Sequence, residues 1–441
     1  MRVSSNQIFD TGTLGVTRNQ GDLFKLQNQL STGRRVLTPA DDPVASAQAL
    51  ITSQSQNINA QHLEAQGNAK TQLASIEGQL DSLVDLLQNV RERTVQAANS
   101  TLTPEDRQAI ATELQARLEG LTALANAQDG RGEYLFSGFK GDTRPFAIDP
   151  LTNAMGYFGD SGERLLQVDT SRQMPASVAG DDLFMRIKNG NGTFQVQTGD
   201  NFLTPGQINQ GTAKMDAGSV TDVVRWQAAM ANAGIWSNPA NAGDLRIVFS
   251  VVGANTTYQI YDNSVPGAPV ALLAAPGNFT SGQAISLQKT TAPAVDFGAN
   301  VVIDGMPADG DSFVVSQSSN QSMFDTMRSL IGALTTPISG TAYTRTEFYN
   351  EMSREMVNID QALENVSRVR STIGSRLRDV DSLNEVAQDN GLQLSSRLSE
   401  LELQDLDYAK AISDFTKKQL QLEAAQASFA KTSQLSLFNY L

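Results

Sequence analysis

No cysteine occurs in the 441 residues. Disulfides, thiolate zinc sites and cysteine nucleophiles are therefore excluded together. Histidine is nearly as scarce, and His62 stands alone in the sequence. One imidazole rules out H-E-x-x-H and every other two-histidine metal motif, and no G-x-S-x-G elbow exists for it to serve. It is expected to be a solvated residue on a helix rich in Gln and Asn. Neither a G-x-x-x-x-G-K-[ST] loop nor a G-x-G-x-x-G turn is present. No run approaches the ~18 apolar residues a membrane span needs. Basic charge is also short, with 33 Lys+Arg against 47 Asp+Glu and a net charge of −14. That balance disfavours nucleic acid and anionic lipid, which both require a positive face. The opening decapeptide, Met1 to Asp10, has no apolar core of a Sec-type signal. Either a cytoplasmic place or export without a cleaved leader is expected from it.

What the chain has is periodicity. Stepping by seven from Met352 reaches Ile359, Val366, Ile373, Val380, Ala387, Leu394, Leu401, Tyr408, Phe415, Leu422 and Phe429, all apolar or aromatic. A seven-residue step stacks side chains into one helical seam. The companion position four along is weaker. Met356, Leu363, Leu377, Leu398 and Ile412 fit it, whereas Arg370, Asn384, Gly391, Asp405 and Gln419 do not. A long helix laid on other helices is expected rather than a full dimeric zipper, with a break at Gly391.

The N-terminal third carries a matching pattern. Phe9, Val16, Leu23 and Leu30 keep the spacing, then "STGRRVLTPADDP" turns the chain, and Val44, Ile51 and Ile58 resume the register. Asp42 suits an N-cap, and Pro43 suits the first helical position, where its missing N–H costs nothing. The helix should run to about Asn99, with Ile76, Leu80, Leu83, Leu87 and Val90 on one face, a rod of about 85 Å at 1.5 Å per residue. Thr103-Pro104-Glu105-Asp106 opens another helix holding Ile110, Leu114, Leu118, Leu121 and Leu124.

Between Gly132 and Gln321 the texture changes to frequent Gly and Pro with short alternating runs such as "FQVQT", "LRIVFSVV", "TYQIYD", "ANVVIDG" and "DSFVVS". These read as strands, with a short helix within Ser219 to Asn232. Asp304-Gly305, Asp309-Gly310 and Asp311 crudely resemble a calcium loop, but the spacing is wrong and no Glu closes it, so turns between strands are expected. The fold class expected is α+β: a long antiparallel helical rod from both chain ends, residues 1–132 and 342–441, carrying a β-rich insert, 133–341, of one or two lobes. Amphipathic helices gain little stability alone, so the two ends should pack on each other.

The extreme ends point outward. Ile8, Phe9, Leu14, Val16 and Leu23 lie in a polar, glycine-punctuated start, and the finish "LSLFNYL" has no charge. Burying an apolar side chain is worth about 1.5–3 kcal/mol. Phe415, Leu422, Phe429, Leu435, Leu437, Phe438, Tyr440 and Leu441 can recover most of that only against other subunits. Self-assembly is therefore favoured over a closed monomer, with the termini disordered until neighbours arrive. Nothing asks for catalysis, a cofactor or a metal.

Particular stretches resemble the flagellin superfamily and, within it, the hook-associated protein 3 family. They are "LSTGRRVLTPADDPVASAQAL" from Leu30 to Leu50, "GEYLFSGFKGDTRPF" from Gly132 to Phe146, and "YFGDSGER" from Tyr157 to Arg164. Asp405, Asp407, Tyr408 and Ala409 match the superfamily's D-x-D-Y-A, and "FAKTSQLSLFNYL" resembles the junction family's terminus. The resemblance implies a secreted structural subunit at the boundary between flagellar hook and filament, without catalysis. Its partners would be hook-associated protein 1, flagellin, further copies of itself in a ring, and an export chaperone on the C-terminal helix. Export would run through the flagellar type III apparatus. The alternatives are a flagellin and, in a different class, an extracellular coiled-coil stalk carrying an enzymatic or adhesive β domain.

Overall fold

Among the described residues seven α-helices, numbered in chain order, frame the fold: α1 (Ser5–Thr32), α2 (Pro43–Ala97), α3 (Pro104–Ala125), α4 (Val223–Asn232), α5 (Met323–Thr335), α6 (Ala342–Leu403) and α7 (Tyr408–Gln434). They are seen in a computed structural model that describes residues 5–99, 102–152, 154–232, 244–263, 268–338, 340–403 and 408–434. The chain divides into two compact units. One comprises Met1–Asn68, Gln167–Arg172 and Val380–Leu441; the other comprises Ala69–Leu166 and Gln173–Asp379.

In the second unit α2 and α6 form an apolar seam. Ala69, Leu73, Ile76, Leu80, Leu83, Leu87, Val90, Thr94 and Ala97 are buried at alternating steps of four and three, the spacing of a coiled-coil core. Opposite them Met352, Ile359, Val366 and Ile373 are buried at steps of seven. Arg370 Nε donates to Glu77 at 2.6 Å and Arg91 Nε to Asp360 at 2.6 Å. One residue number rises as its partner's falls, so the helices run antiparallel. The second buried row of α6 lies three residues along, not four: Glu355, Ala362 and Val369, followed by half-buried Arg376. Charged members hide that row from a search for apolar letters. Gly391 makes no break, and α6 passes through it.

α3 begins where Thr103 and Asp106 cap each other reciprocally, and it packs on α5. The segment after α3 is a knot of aromatics. Phe136 and Phe146 each meet Phe184 edge to face, with centroids 5.4 and 5.2 Å away, and Phe146 also meets Phe324. Asp160 tightens it by accepting from the Phe139 and Gly162 N–H groups, both at 2.9 Å. Tyr157 Oη donates to the Asp160 carbonyl at 2.7 Å. Gly138 has φ +70°, and a Cβ there would collide with Asp160. Gly138→Ala should therefore cost about 2–3 kcal/mol in urea unfolding, combining backbone strain with the clash. An unchanged midpoint would disprove that.

Besides three two-stranded pairings, the described residues hold two larger antiparallel sheets that share one core in the second unit. In the larger, the strand order is Val270–Ala271, Asn255–Asp262, Leu245–Val252, Ser312–Gln317 and Phe194–Thr198, with Gly277–Asn278 also pairing to Asn255–Asp262. In the smaller, Val295–Asp304 lies between Ala284–Lys289 and the short strands Lys214–Met215 and Ser219–Val220. Phe194, Ile247, Phe249 and Phe313 from one sheet and Leu287, Phe297, Val301 and Ile303 from the other are buried together, with Trp226 of α4. The strand runs expected from alternation are all present. The short helix starts only at Val223, because Ser219–Val220 is drawn into a sheet and Asp222 Oδ1 accepts from the Val224 and Arg225 N–H groups. Asp311 is buried, and its carboxylate accepts from the N–H groups of Gln210, Gly211 and Ala308, each at 2.8 Å. Asp309 accepts from the Val251 N–H and Asp304 from the Ser281 hydroxyl, so turn contacts occupy all three aspartates that resembled a calcium loop.

Candidate assembly surface

The first unit reverses the polarity of the helix pair. Continuing the α2 register backward by sevens from Leu73 gives Gln66, Asn59, Thr52 and Ala45, of which Gln66 is 2% exposed and Thr52 and Ala45 are also buried. The inward residues are now largely amides and a hydroxyl, held by hydrogen bonds. Asn59 Nδ2 donates to the Ala387 carbonyl at 2.8 Å, Asn384 Nδ2 to Gln66 Oε1 at 3.3 Å, and Gln66 Nε2 to the Val168 carbonyl at 2.7 Å. The apolar residues of the same stretch face away from that seam. Leu50 is 71% and Ile51 65% exposed, and Val44, Ile58, Val386 and Leu392 are exposed with them. The sequence register that put Val44, Ile51 and Ile58 on the seam is corrected here by one residue. Amides took the inner positions that an apolar pattern would claim.

α1 and α7 pair in the same unit. Gly12 lies against the Phe429 ring, Lys418 Nζ meets Asp22 at 2.7 Å, and Gly33 lies under the Tyr408 hydroxyl. These three contacts again climb on one helix as they descend on the other, so the pairing is antiparallel. The half-exposed ion pair is worth under about 1 kcal/mol and fixes register more than stability. Of the residues expected at an assembly surface, Val16, Leu23, Phe415, Leu422 and Phe429 are half-buried, while Leu14 is 70% exposed. Ile8 and Phe9 belong to α1, but their side chains lie outside the described residues, as do Leu435, Leu437, Phe438, Tyr440 and Leu441. Asp405 and Asp407 of the D-x-D-Y-A stretch lie outside them too. Phe24, 67% exposed, and exposed Leu50 and Leu420 carry no mark in the sequence beyond an apolar letter off the seam, while Ile51 and Ile412, expected on the seam, are exposed as well.

The turn between α1 and α2 is built rather than loose. Gln29 Nε2 donates to the Arg35 carbonyl at 2.6 Å, and Arg35 pairs with Asp42 at 2.9 Å. Asp42 Oδ1 caps α2 by accepting from the Ala45 N–H at 3.0 Å. Asp41 accepts from the Leu37 and Thr38 N–H groups and forms an ion pair with Lys25 of α1. Beside the turn, a groove of about 320 Å³ is lined by Val36, Leu37, Pro39, Ala49, Leu50 and Leu401.

Lys25, with the two N–H groups, holds the Asp41 carboxyl down to about 2 from an ordinary 3.8. A depressed carboxyl stabilises the fold fully above its unfolded value and loses that contribution as pH falls through the folded one. The stability gap between the natural chain and Asp41→Asn should therefore be full above pH ~4 and vanish towards pH ~2. Urea unfolding of the pair at several pH values measures it, and a gap that grows on acidification would refute the assignment. His62 is half-buried, not solvated as expected, and its Nε2 has no hydrogen-bond partner among the described residues. No group of three or more metal-ligating side chains occurs among the described residues.

Residues 3–140 match the model for the bacterial flagellin N-terminal helical region, and residues 356–441 that for the C-terminal helical region. Between them these stretches take in half of the chain. Flagellar hook-associated protein 3 of Escherichia coli strain K12 is 36% identical over 187 residues, 42% of this chain and 58% of that protein. The matched stretch thus spans little more than half the length of that relative. A crystal structure titled flagellar hook associated protein-3 from Legionella pneumophila superposes with a TM-score of 0.67 at 29% identity, covering 80% of this chain and 98% of that one. Flagellin B of Helicobacter pylori strain 26695 is 29% identical over 154 residues, 35% of this chain and 30% of that protein.

Proposed function

Given that the chain belongs to the flagellin family, we propose that it is a structural subunit of the bacterial flagellum. Its place is the junction where the hook-associated protein 1 layer gives way to the flagellin filament. One observation carries this reading: the part of α2 in the first unit turns Gln66, Asn59 and Thr52 inward and Leu50 and Ile51 outward. A chain meant to stand alone does the reverse, since each buried apolar side chain is worth about 1.5–3 kcal/mol and a net hydrogen bond only about 0.5–1.5 kcal/mol. Outward apolar faces on both terminal segments fit a subunit completed by further copies of itself and by the two neighbouring layers. The half-buried α1–α7 pair, with Leu14 and Phe24 facing outward, extends the same surface.

The work is mechanical: helices docked on helices, with no reaction to run. The sandwich in the second unit would be the outer, medium-facing part, and an export chaperone would shield the C-terminal helix before assembly. Hook-associated protein 3 is favoured over a flagellin because identity to it is higher, 36% against 29% for flagellin B. Abundance and location test this. Antibody against the chain should mark one band at the hook–filament boundary, and the chain should be a trace component of sheared filaments. A deletion strain should shed its filaments. Finding the chain as the dominant filament protein would move it to the flagellins.

A further inference from the structure

In the second unit, where α5 ends and α6 begins, a cleft of about 490 Å³ opens. Ile208, Ala333, Pro337, Ile338 and Phe348 give it apolar walls. Glu347 and Glu351, one turn apart on α6, supply the charge. Glu351 is paired with Arg354. Glu347 accepts from the Thr198 hydroxyl, and no cation lies within ion-pair reach of it among the described residues. Burial pushes its carboxyl up, the Thr198 hydroxyl pulls it back, the negative charges of Glu351 and Asp311 add to the rise, and Arg354 opposes it. The cleft also contains Gly332, in the last turn of α5. A Cβ added there would meet nothing within 4 Å. Alanine would favour the helix by up to about 1 kcal/mol, so the missing side chain leaves room in the cleft rather than relieving crowding.

We propose that this cleft binds a small amphipathic organic cation, its apolar body lying between α5 and α6 and its ammonium or guanidinium group against Glu347. The volume lies within the ~300–1,000 Å³ typical of small-ligand sites. Apolar walls beside a half-buried carboxylate strengthen a charge-assisted hydrogen bond relative to water. The same carboxylates repel anions, and a neutral ligand would leave Glu347 without the counter-charge it lacks. The site is independent of the assembly surface, which involves other residues of the chain.

Titration calorimetry of the full chain at pH 7 with 4-phenylbutylammonium chloride and with neutral 4-phenylbutanol tests it. The amine should bind at least about tenfold more tightly than the alcohol. Glu347→Gln, which keeps an acceptor for Thr198, should erase that preference. Gly332→Leu, which fills the space, should weaken both ligands about tenfold or more. Melting curves of both variants confirm that they are folded. Equal affinity for amine and alcohol would overturn the proposal, as would no detectable binding of the amine. Amine binding that survives unchanged in both variants would do so too, because it would then be attraction to the acidic surface at large.

Discussion

Replacing Leu50 and Ile51 together by aspartate should leave the chain folded and its carriers unable to keep a filament. Both side chains are about two-thirds exposed, so the folded monomer should lose no more than about 0.5 kcal/mol. In an assembled tube the same positions would be covered. The double variant then forfeits about 1.5–3 kcal/mol of apolar burial per site and adds the desolvation of two carboxylates. Incorporation should fall by more than about 100-fold, given tenfold per 1.4 kcal/mol. Swimming-plate diameter and the count of hooks bearing a filament measure this, with urea unfolding of the purified chain as the control. A folded double variant that swims normally would remove this face from the assembly surface.

The second large effect is on stability. Leu80 is fully buried at the centre of the apolar seam, between Leu73 and Leu87 of the same register. Leu80→Ala should cost about 2–5 kcal/mol, the transfer term plus the cavity left in a seam whose long helices cannot collapse around it. Ile51→Ala, on the same helix, should cost almost nothing. Urea unfolding of the two variants side by side gives the comparison, and a loss below about 1 kcal/mol at Leu80 would contradict the packing described. The contrast matters because the two residues are equally apolar in sequence and differ only in what covers them.

Periodicity made the frame legible. The seven-residue series from Met352 to Ala387 is buried throughout, and the helix starts at Pro43 and Pro104 stand where proline and a capping side chain put them. Alternation likewise found the strands, since each has one face on the shared core. Three things were not legible, each for a physical reason. From Leu394 onward the series continues in sequence but is half-buried or exposed, because spacing tells which face a residue occupies and not whether anything lies against it. The inward amides Asn59, Gln66 and Asn384 pass for surface letters until their hydrogen-bond partners are seen, and those lie 102 to 328 residues away. Strand partners are equally remote: Phe194–Thr198 pairs with Ser312–Gln317 across more than a hundred residues, and no local signal encodes that. The aromatic knot was visible as the family-like stretches around Phe136 and Tyr157. Its cause, Asp160 tying Phe139 to Gly162, needed coordinates.

The change from amide to leucine along one unbroken helix has a mechanical corollary. Between Gln66 and Ala69 the fastening of α2 passes from bonds that water can replace to contacts that it cannot. On heating, the hydrogen-bonded stretch of α2 should therefore open before the apolar one, which amide exchange along the helix would read.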